Sequence, residues 1–184
     1  MKRMSFQACC LGLVWMLQSV GMAQTVLCEN NIPASNPDAV YTDHGNGTVT
    51  DTRTGLMWKQ CVEGLSGEEC QTGSAQLFTW YDALAQAEVS TFAGYTDWRL
   101  PNIKELTGLV EDCRINPAIN INRFPNTPLF YTQNITNTVI YQWSGSPVTN
   151  LSLSAWVVHF GPGVVYRTLR GFHPHAARLV RGGQ

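Results

Sequence analysis

Ten residues in the middle of this chain, Asp97-Trp98-Arg99-Leu100-Pro101-Asn102-Ile103-Lys104-Glu105-Leu106, fix where an extended segment stops and a helix starts. Proline holds φ at about −65° and drives the residue before it out of the helical region, so Leu100 closes an extended run. Asn102 can then accept from the backbone N–H of Glu105 while the Glu105 carboxylate reaches back, which is a capping box. Ile103, Leu106, Leu109 and Val110 follow at helical spacing and are expected to form its buried stripe.

The flanking segments complete a mixed pattern. Val40 to Asp43 and Thr48 to Thr50 read as strands joined through His44-Gly45-Asn46-Gly47, because Asn-Gly supplies the left-handed conformers of a tight turn. A second turn at Asp51-Thr52-Arg53-Thr54-Gly55 leads into a strand over Leu56-Met57-Trp58-Lys59-Gln60. Thr79 caps a first helix with Trp80, Ala83, Leu84 and Ala87 on one face. Residues 114–138 lack periodicity and read as a long loop of the kind that often carries function. Val139–Ser144, Ala155–Phe160, Val164–Arg167 and Ala176–Arg181 then read as strands. Two helices within a mainly antiparallel sheet make an α+β domain.

Met1-Lys2-Arg3 precedes a mostly apolar run to Val20, followed by the small residues Gly21 and Ala23. This is the signature of a secretory signal peptide, so residues 1–23 are expected to be removed. Polar Ser5, Gln7 and Gln18 bound the apolar core and leave it short for a span of ~20 residues. The mature chain is therefore expected to be secreted or periplasmic, with no stable membrane insertion.

Cys9 and Cys10 fall within that leader, leaving Cys28, Cys61, Cys70 and Cys113. In an oxidising compartment four cysteines suggest two disulfides, with three connectivities. Cys61 and Cys70 flank a short polar loop that a hairpin can close, which leaves Cys28 to pair with Cys113. No Cys-x-x-Cys pair points to zinc. Residues 24–39 then read as an N-terminal extension tied down by a disulfide, and residues 40–184 as one domain.

The formal charge of −1 conceals an asymmetry. Thirteen acids face four basic residues between Gln24 and Asp112, whereas the chain from Cys113 onward carries six arginines and no acid. Two readings stay open: the halves pair internally, or the late cations form a basic surface for sulfated or phosphorylated polymers. On the second reading the binding residues are Arg114, Arg123, Arg167, Arg170, His173, His175 and Arg178. Nucleic acid is not an expected partner, since the mature chain lacks net positive charge.

No catalytic set stands out. Glu68-Glu69 and Glu111-Asp112 are adjacent in sequence and would not converge on one bond. His173 and His175 flank Pro174 and would project the same way from an extended segment, but no third metal ligand is placed. Asp43, Asn46, Thr48 and Asp51 space oxygens at the short intervals that suit calcium, yet they miss the twelve-residue EF-hand pattern. No enzyme activity, metal or other cofactor is expected. Trp58, Trp80, Trp98, Trp143 and Trp156 lie in strands or amphipathic segments, where core packing is the first expectation.

Three strings carry a family likeness: Thr54-Gly55-Leu56-Met57-Trp58, the Trp98–Leu106 joint, and Ala177-Arg178-Leu179-Val180-Arg181-Gly182-Gly183. With Asn116-Pro117-Ala118-Ile119-Asn120 and Phe124-Pro125-Asn126-Thr127-Pro128, the chain from about Tyr41 onward resembles the Lcl C-terminal domain family of bacterial exported proteins. The resemblance implies a C-type-lectin-like fold, two helices with a mainly antiparallel, distorted β-sheet, and adhesin-like recognition of anionic, sulfated glycans. A structural or surface-protein module of an envelope or pilus assembly is the alternative. The chain has no collagen-like repeat, and it lacks the Glu-Pro-Asn, Gln-Pro-Asp and Trp-Asn-Asp strings of calcium-dependent lectins. The Arg-Leu-Pro joint also resembles that of sulfatase-modifying enzymes, but no cysteine follows Cys113 to serve that chemistry.

Overall fold

Short-range turn chemistry organises the N-terminal half of the computed structural model, which describes residues 28–29, 31–133 and 136–182. The signal peptide expected over residues 1–23 lies outside the described residues. In chain order the strands are β1 (Tyr41–Asp43), β2 (Thr48–Asp51), β3 (Leu56–Lys59), β4 (Leu65–Ser66) and β5 (Thr72–Gly73). The helices α1 (Trp80–Glu88) and α2 (Ile103–Thr107) come next. The chain then runs through β6 (Phe130–Gln133), β7 (Thr136–Val139), β8 (Gln142–Pro147), β9 (Ser154–His159), β10 (Val164–Leu169) and β11 (Val180–Arg181).

The β1–β2 hairpin closes as the Asn-Gly signal requires: Gly47 has φ of 82°, and Asn46 Oδ1 accepts from both the backbone N–H and the hydroxyl of Thr48, at 3.2 and 2.6 Å. β3 pairs antiparallel with β2, and the C-terminal strand β11 adds to its other side, giving the order β1-β2-β3-β11. Val49, Trp58 and Val180 form one row across this sheet, all fully buried. A second antiparallel sheet has the order β10-β9-β8, and β4–β5 and β6–β7 are separate ribbons.

Three apolar clusters lie among the described residues, the smallest around Val62, Ile140 and Ala176. One gathers Val49, Leu56, Trp58 and Val180 with Leu106, Leu109, Ile119 and Phe124 and with Val158 and Phe160. Another sets Ala83 and Ala87 of α1 against Trp98, Leu100, Trp143, Val157 and Leu179. Trp98 is buried and donates its indole N–H to the Phe92 carbonyl at 3.0 Å, so it belongs to the core as expected.

Both caps form. Thr79 accepts from the Asp82 N–H at 3.3 Å, and Asn102 and Glu105 complete the capping box at 2.9 and 2.7 Å. The second helix is shorter than its apolar spacing predicts, stopping at Thr107. Thr107 turns its hydroxyl back onto the Ile103 and Lys104 carbonyls, and Gly108 follows with its high helical cost. Leu109 is nonetheless buried, carried by the turn beyond the helix. The strand expected over 139–144 is two, because Ile140 turns its N–H to the Leu129 carbonyl and separates β7 from β8. The expected final strand is regular only at 180–181. Before that, Ala176 bridges β8 through Tyr141 and Trp143, and Ala177 and Leu179 accept from Glu63 and Lys59. β6 and the start of β7 occupy part of the 114–138 segment read as a loop.

Disulfides join Cys61 to Cys70 and Cys28 to Cys113. Beside the second, the fully buried Glu111 carboxylate accepts from the Ser35 N–H and hydroxyl at 2.7 and 2.8 Å and from the Asn36 N–H at 3.0 Å. The N-terminal extension is thus fixed covalently and by hydrogen bonds. No helix among the described residues is long and apolar enough to cross a membrane.

Candidate functional site

The late arginines do not share one surface. Arg178 has no exposed area at all. Its guanidinium donates to the Lys59 carbonyl at 3.1 Å, to the Gln60 carbonyl, to Gln142 Oε1 at 3.3 Å and to the Thr127 hydroxyl at 2.9 Å, and it lies over the Phe124 ring. Burial lowers its pKa to about 9, which leaves it protonated at neutral pH. The expectation that Arg178 meets a ligand is therefore corrected: it is an internal strut joining the C-terminal segment to the end of β3.

Arg123 faces Asp43 at 3.4 Å and Asp38 at 3.9 Å, and Arg181 grips Asp97 at 2.6 and 3.0 Å while lying over Tyr95. These contacts realise internal pairing between the acidic and basic halves. Half-buried Arg114 approaches the Cys28 sulfur at 4.0 Å. Arg170 donates to the Ser154 carbonyl at 2.9 Å and stacks on Trp80, with 4.5 Å to the ring centroid.

Three of the expected residues do come together. Arg167, His173 and His175 line a groove of about 310 Å³ with Tyr141, Tyr166 and Thr168. β10 carries Tyr166, Arg167 and Thr168, the break between β7 and β8 supplies Tyr141, and the segment returning from β10 to β8 supplies both histidines. Tyr141 is the hub: its ring lies 5.4 Å from Tyr166, 5.0 Å from His175 and 5.4 Å from His159. Arg167 and His173 are exposed at the rim, whereas His175 is buried on the floor. The two histidines thus differ in environment, contrary to the expectation that they project together. Burial, aided by the nearby His173, lowers the His175 pKa to about 4, so its ring is neutral at neutral pH. Neither of its ring nitrogens has a hydrogen-bond partner among the described residues. Both nitrogens are shut off from solvent as well as unpartnered, so the imidazole is a buried, unsatisfied polar group beneath the groove.

Among its described lining residues the groove has no acid, and its one arginine is Arg167 at the rim. A larger cleft of about 760 Å³ differs in kind. Asp43, Glu68 and Glu69 line it, and its one cation, Lys59, is paired with Glu63 and set against the Phe92 ring. Its described lining is therefore net acidic. The oxygens of the notional calcium loop are engaged by the protein itself: Asp43 accepts from Gly45, Asn46 from Thr48, and Asp51 from Arg53. The grouping Cys28, Glu111 and Cys113 has metal-ligand types, but its two cysteines are joined to each other.

Tyr141 and Tyr166 were not singled out by the sequence. The adjacent Tyr166-Arg167 pair on a strand next to a Gly-Pro-Gly turn was the available signal, but their meeting with Tyr141 depends on tertiary packing. Among known families, the Lcl C-terminal domain matches residues 47–181, a span running from the first hairpin turn to the end of β11. No curated protein matches the chain. The match takes in the capped joint, every strand of the two larger sheets except β1, and every residue of the groove, and the chain belongs to the Lcl C-terminal domain family.

Proposed function

We propose that the chain is an exported, lectin-like binding module that receives an anionic saccharide in the groove between Tyr141, Tyr166 and Arg167. The observation that carries this reading is one cationic rim residue and two tyrosine rings in a groove with no carboxylate among its described lining residues. Arg167 supplies a forked donor for a sulfate or carboxylate. Tyr166 offers an apolar ring face with a polar tip. The groove volume lies at the lower end of the range for small-molecule sites, which suits a short saccharide unit. Two disulfides accord with an oxidising compartment outside the cytoplasm.

Titration with a sulfated disaccharide at low salt, followed by tyrosine and tryptophan fluorescence, tests the reading. Saturable binding is expected that weakens as salt screens Arg167, is lost in Arg167→Ala and is unaffected by Glu88→Ala. Absence of binding at low salt, or equal affinity in Arg167→Ala, overturns it. The alternative, a module that docks on another protein, draws on Leu153 and Phe172, which are 69% and 79% exposed.

A further inference from the structure

The sheet edges of this fold are protected unequally. β1 is three residues long and exposes Thr42 and Asp43. β11 is two residues long and is bridged by Arg99. β8 has an irregular register ending at Pro147, and Ala176 pairs with its outer side at Gln142. Short length, charge, bulges and covering segments are the ordinary devices that prevent edge pairing.

Apart from the single charge of Arg167, β10 has none of them. All six of its residues pair with β9 in unbroken register, it contains no proline, and no described residue pairs with its outer side. Val165, Tyr166 and Leu169 on it are 40–48% exposed. A regular, apolar, open strand is a template for another strand.

For a second copy of β10 itself, the ladder restricts the register. Arg170 donates its N–H to Leu153, so even-numbered residues of β10 face β9, and Val165, Arg167 and Leu169 direct their N–H and C=O outward. An antiparallel second copy must pair outward residues with outward residues. Two such registers use most of the strand. One sets Arg167 opposite Arg167 of the second copy, an unfavourable like-charge pair. The other sets Arg167 opposite Val165 of the second copy and brings the two Tyr166 rings together on the axis. No cation then faces a cation, and the arginine stem covers the exposed valine.

We infer that the chain forms a two-fold dimer through antiparallel β10–β10 pairing with Tyr166 on the axis, making one six-stranded sheet. Because Tyr166 and Arg167 also line the groove, the two grooves become neighbours. The dimer itself does not depend on what the groove binds.

Sedimentation of the mature, disulfide-intact chain across a concentration series tests this, with folding of each variant checked by its thermal transition. A monomer–dimer equilibrium is expected for the parent chain. Val165→Lys sets a lysine opposite Arg167 and should weaken the dimer about fivefold, whereas Val165→Glu should strengthen it by a similar factor. Under oxidation Tyr166→Cys should cross-link to a covalent dimer and Arg167→Cys should not. A parent chain that stays monomeric at every concentration overturns the inference. So does a pair of Val165 variants that shift in the same direction, or cross-linking through Arg167→Cys alone.

Discussion

Arg99 holds Glu105 by both terminal guanidinium nitrogens, each 2.8 Å from a different carboxylate oxygen. The same carboxylate caps the Asn102 N–H at 2.7 Å, and the same guanidinium donates to the Gly182 carbonyl at 2.9 Å. Backbone bonds between Arg99 and Val180 run in both directions, at 2.9 and 3.0 Å. One ion pair therefore ties the start of α2 to the C-terminal strand.

This arrangement makes Glu105 more than a cap. Glu105→Gln keeps the side-chain length but loses the charge-assisted fork, and Arg99→Lys cannot restore it with a single ammonium. Each is expected to cost about 2 kcal/mol in denaturant unfolding. The double variant should cost clearly less than the two singles added together. Strict additivity would show that the pair is not coupled.

Arg178 gives the largest expected loss. Arg178→Met retains much of the apolar volume but leaves the Lys59 and Gln60 carbonyls and the Thr127 hydroxyl without their donor. A stability loss of roughly 3 kcal/mol or more is expected, since each orphaned buried group carries its own desolvation cost. Ligand binding by the folded fraction should persist, because Arg178 is remote from solvent. A variant with parent stability would remove the strut role.

How these residues could be read in advance depends on the range of the interactions. Pro101, Asn102 and Glu105 act within a few residues of one another, so the joint was legible. The Asn46-Gly47 turn and the Cys61–Cys70 loop were legible for the same reason. Arg178 looked like a surface cation because it stands among other late arginines, yet along the strand it shares parity with buried Val180. Its four acceptors come from residues 36 to 119 positions away, and no local pattern announces them. The groove was half legible: its charged rim stood out, while Tyr141 and Tyr166 meet only when β8 and β10 join through β9.

Acid should destabilise the fold in two windows. The His175 pKa falls from an ordinary value of 6.5 to about 4 on burial, so its contribution is fully present above 6.5 and is lost as pH falls toward 4. A shift of that size corresponds to a loss of about 3 kcal/mol once the ring is protonated in both states. Glu105 acts lower. Burial alone would raise its pKa, but the bonds from Arg99 and Asn102 and the Arg99 charge outweigh burial and hold it below the usual range. Its contribution is present above the ordinary carboxylate pKa and declines beneath it. His175→Gln should flatten the pH dependence of stability between 6.5 and 4.5 while leaving the more acidic decline in place. An unchanged upper window in that variant would remove His175 as its source.

The two disulfides should differ in weight. On the chain-entropy model, closing a loop of about 10 residues stabilises by roughly 2.7 kcal/mol, and a loop of about 86 by roughly 4.6. The Cys28–Cys113 bridge spans 85 positions and the Cys61–Cys70 bridge spans 9. The long bridge also places the extension where Ser35 and Asn36 reach Glu111, a buried carboxylate with no cation hydrogen-bonded to it among the described residues. Replacing Cys28 and Cys113 by serine therefore removes loop closure and raises the cost of keeping that carboxylate buried. Chemical denaturation of the two double-serine variants should show the greater loss for Cys28/Cys113, with earlier proteolytic release of the extension. Equal losses would show that loop length does not set the effect, and that the Glu111 hydrogen bonds hold the extension without help from the bridge.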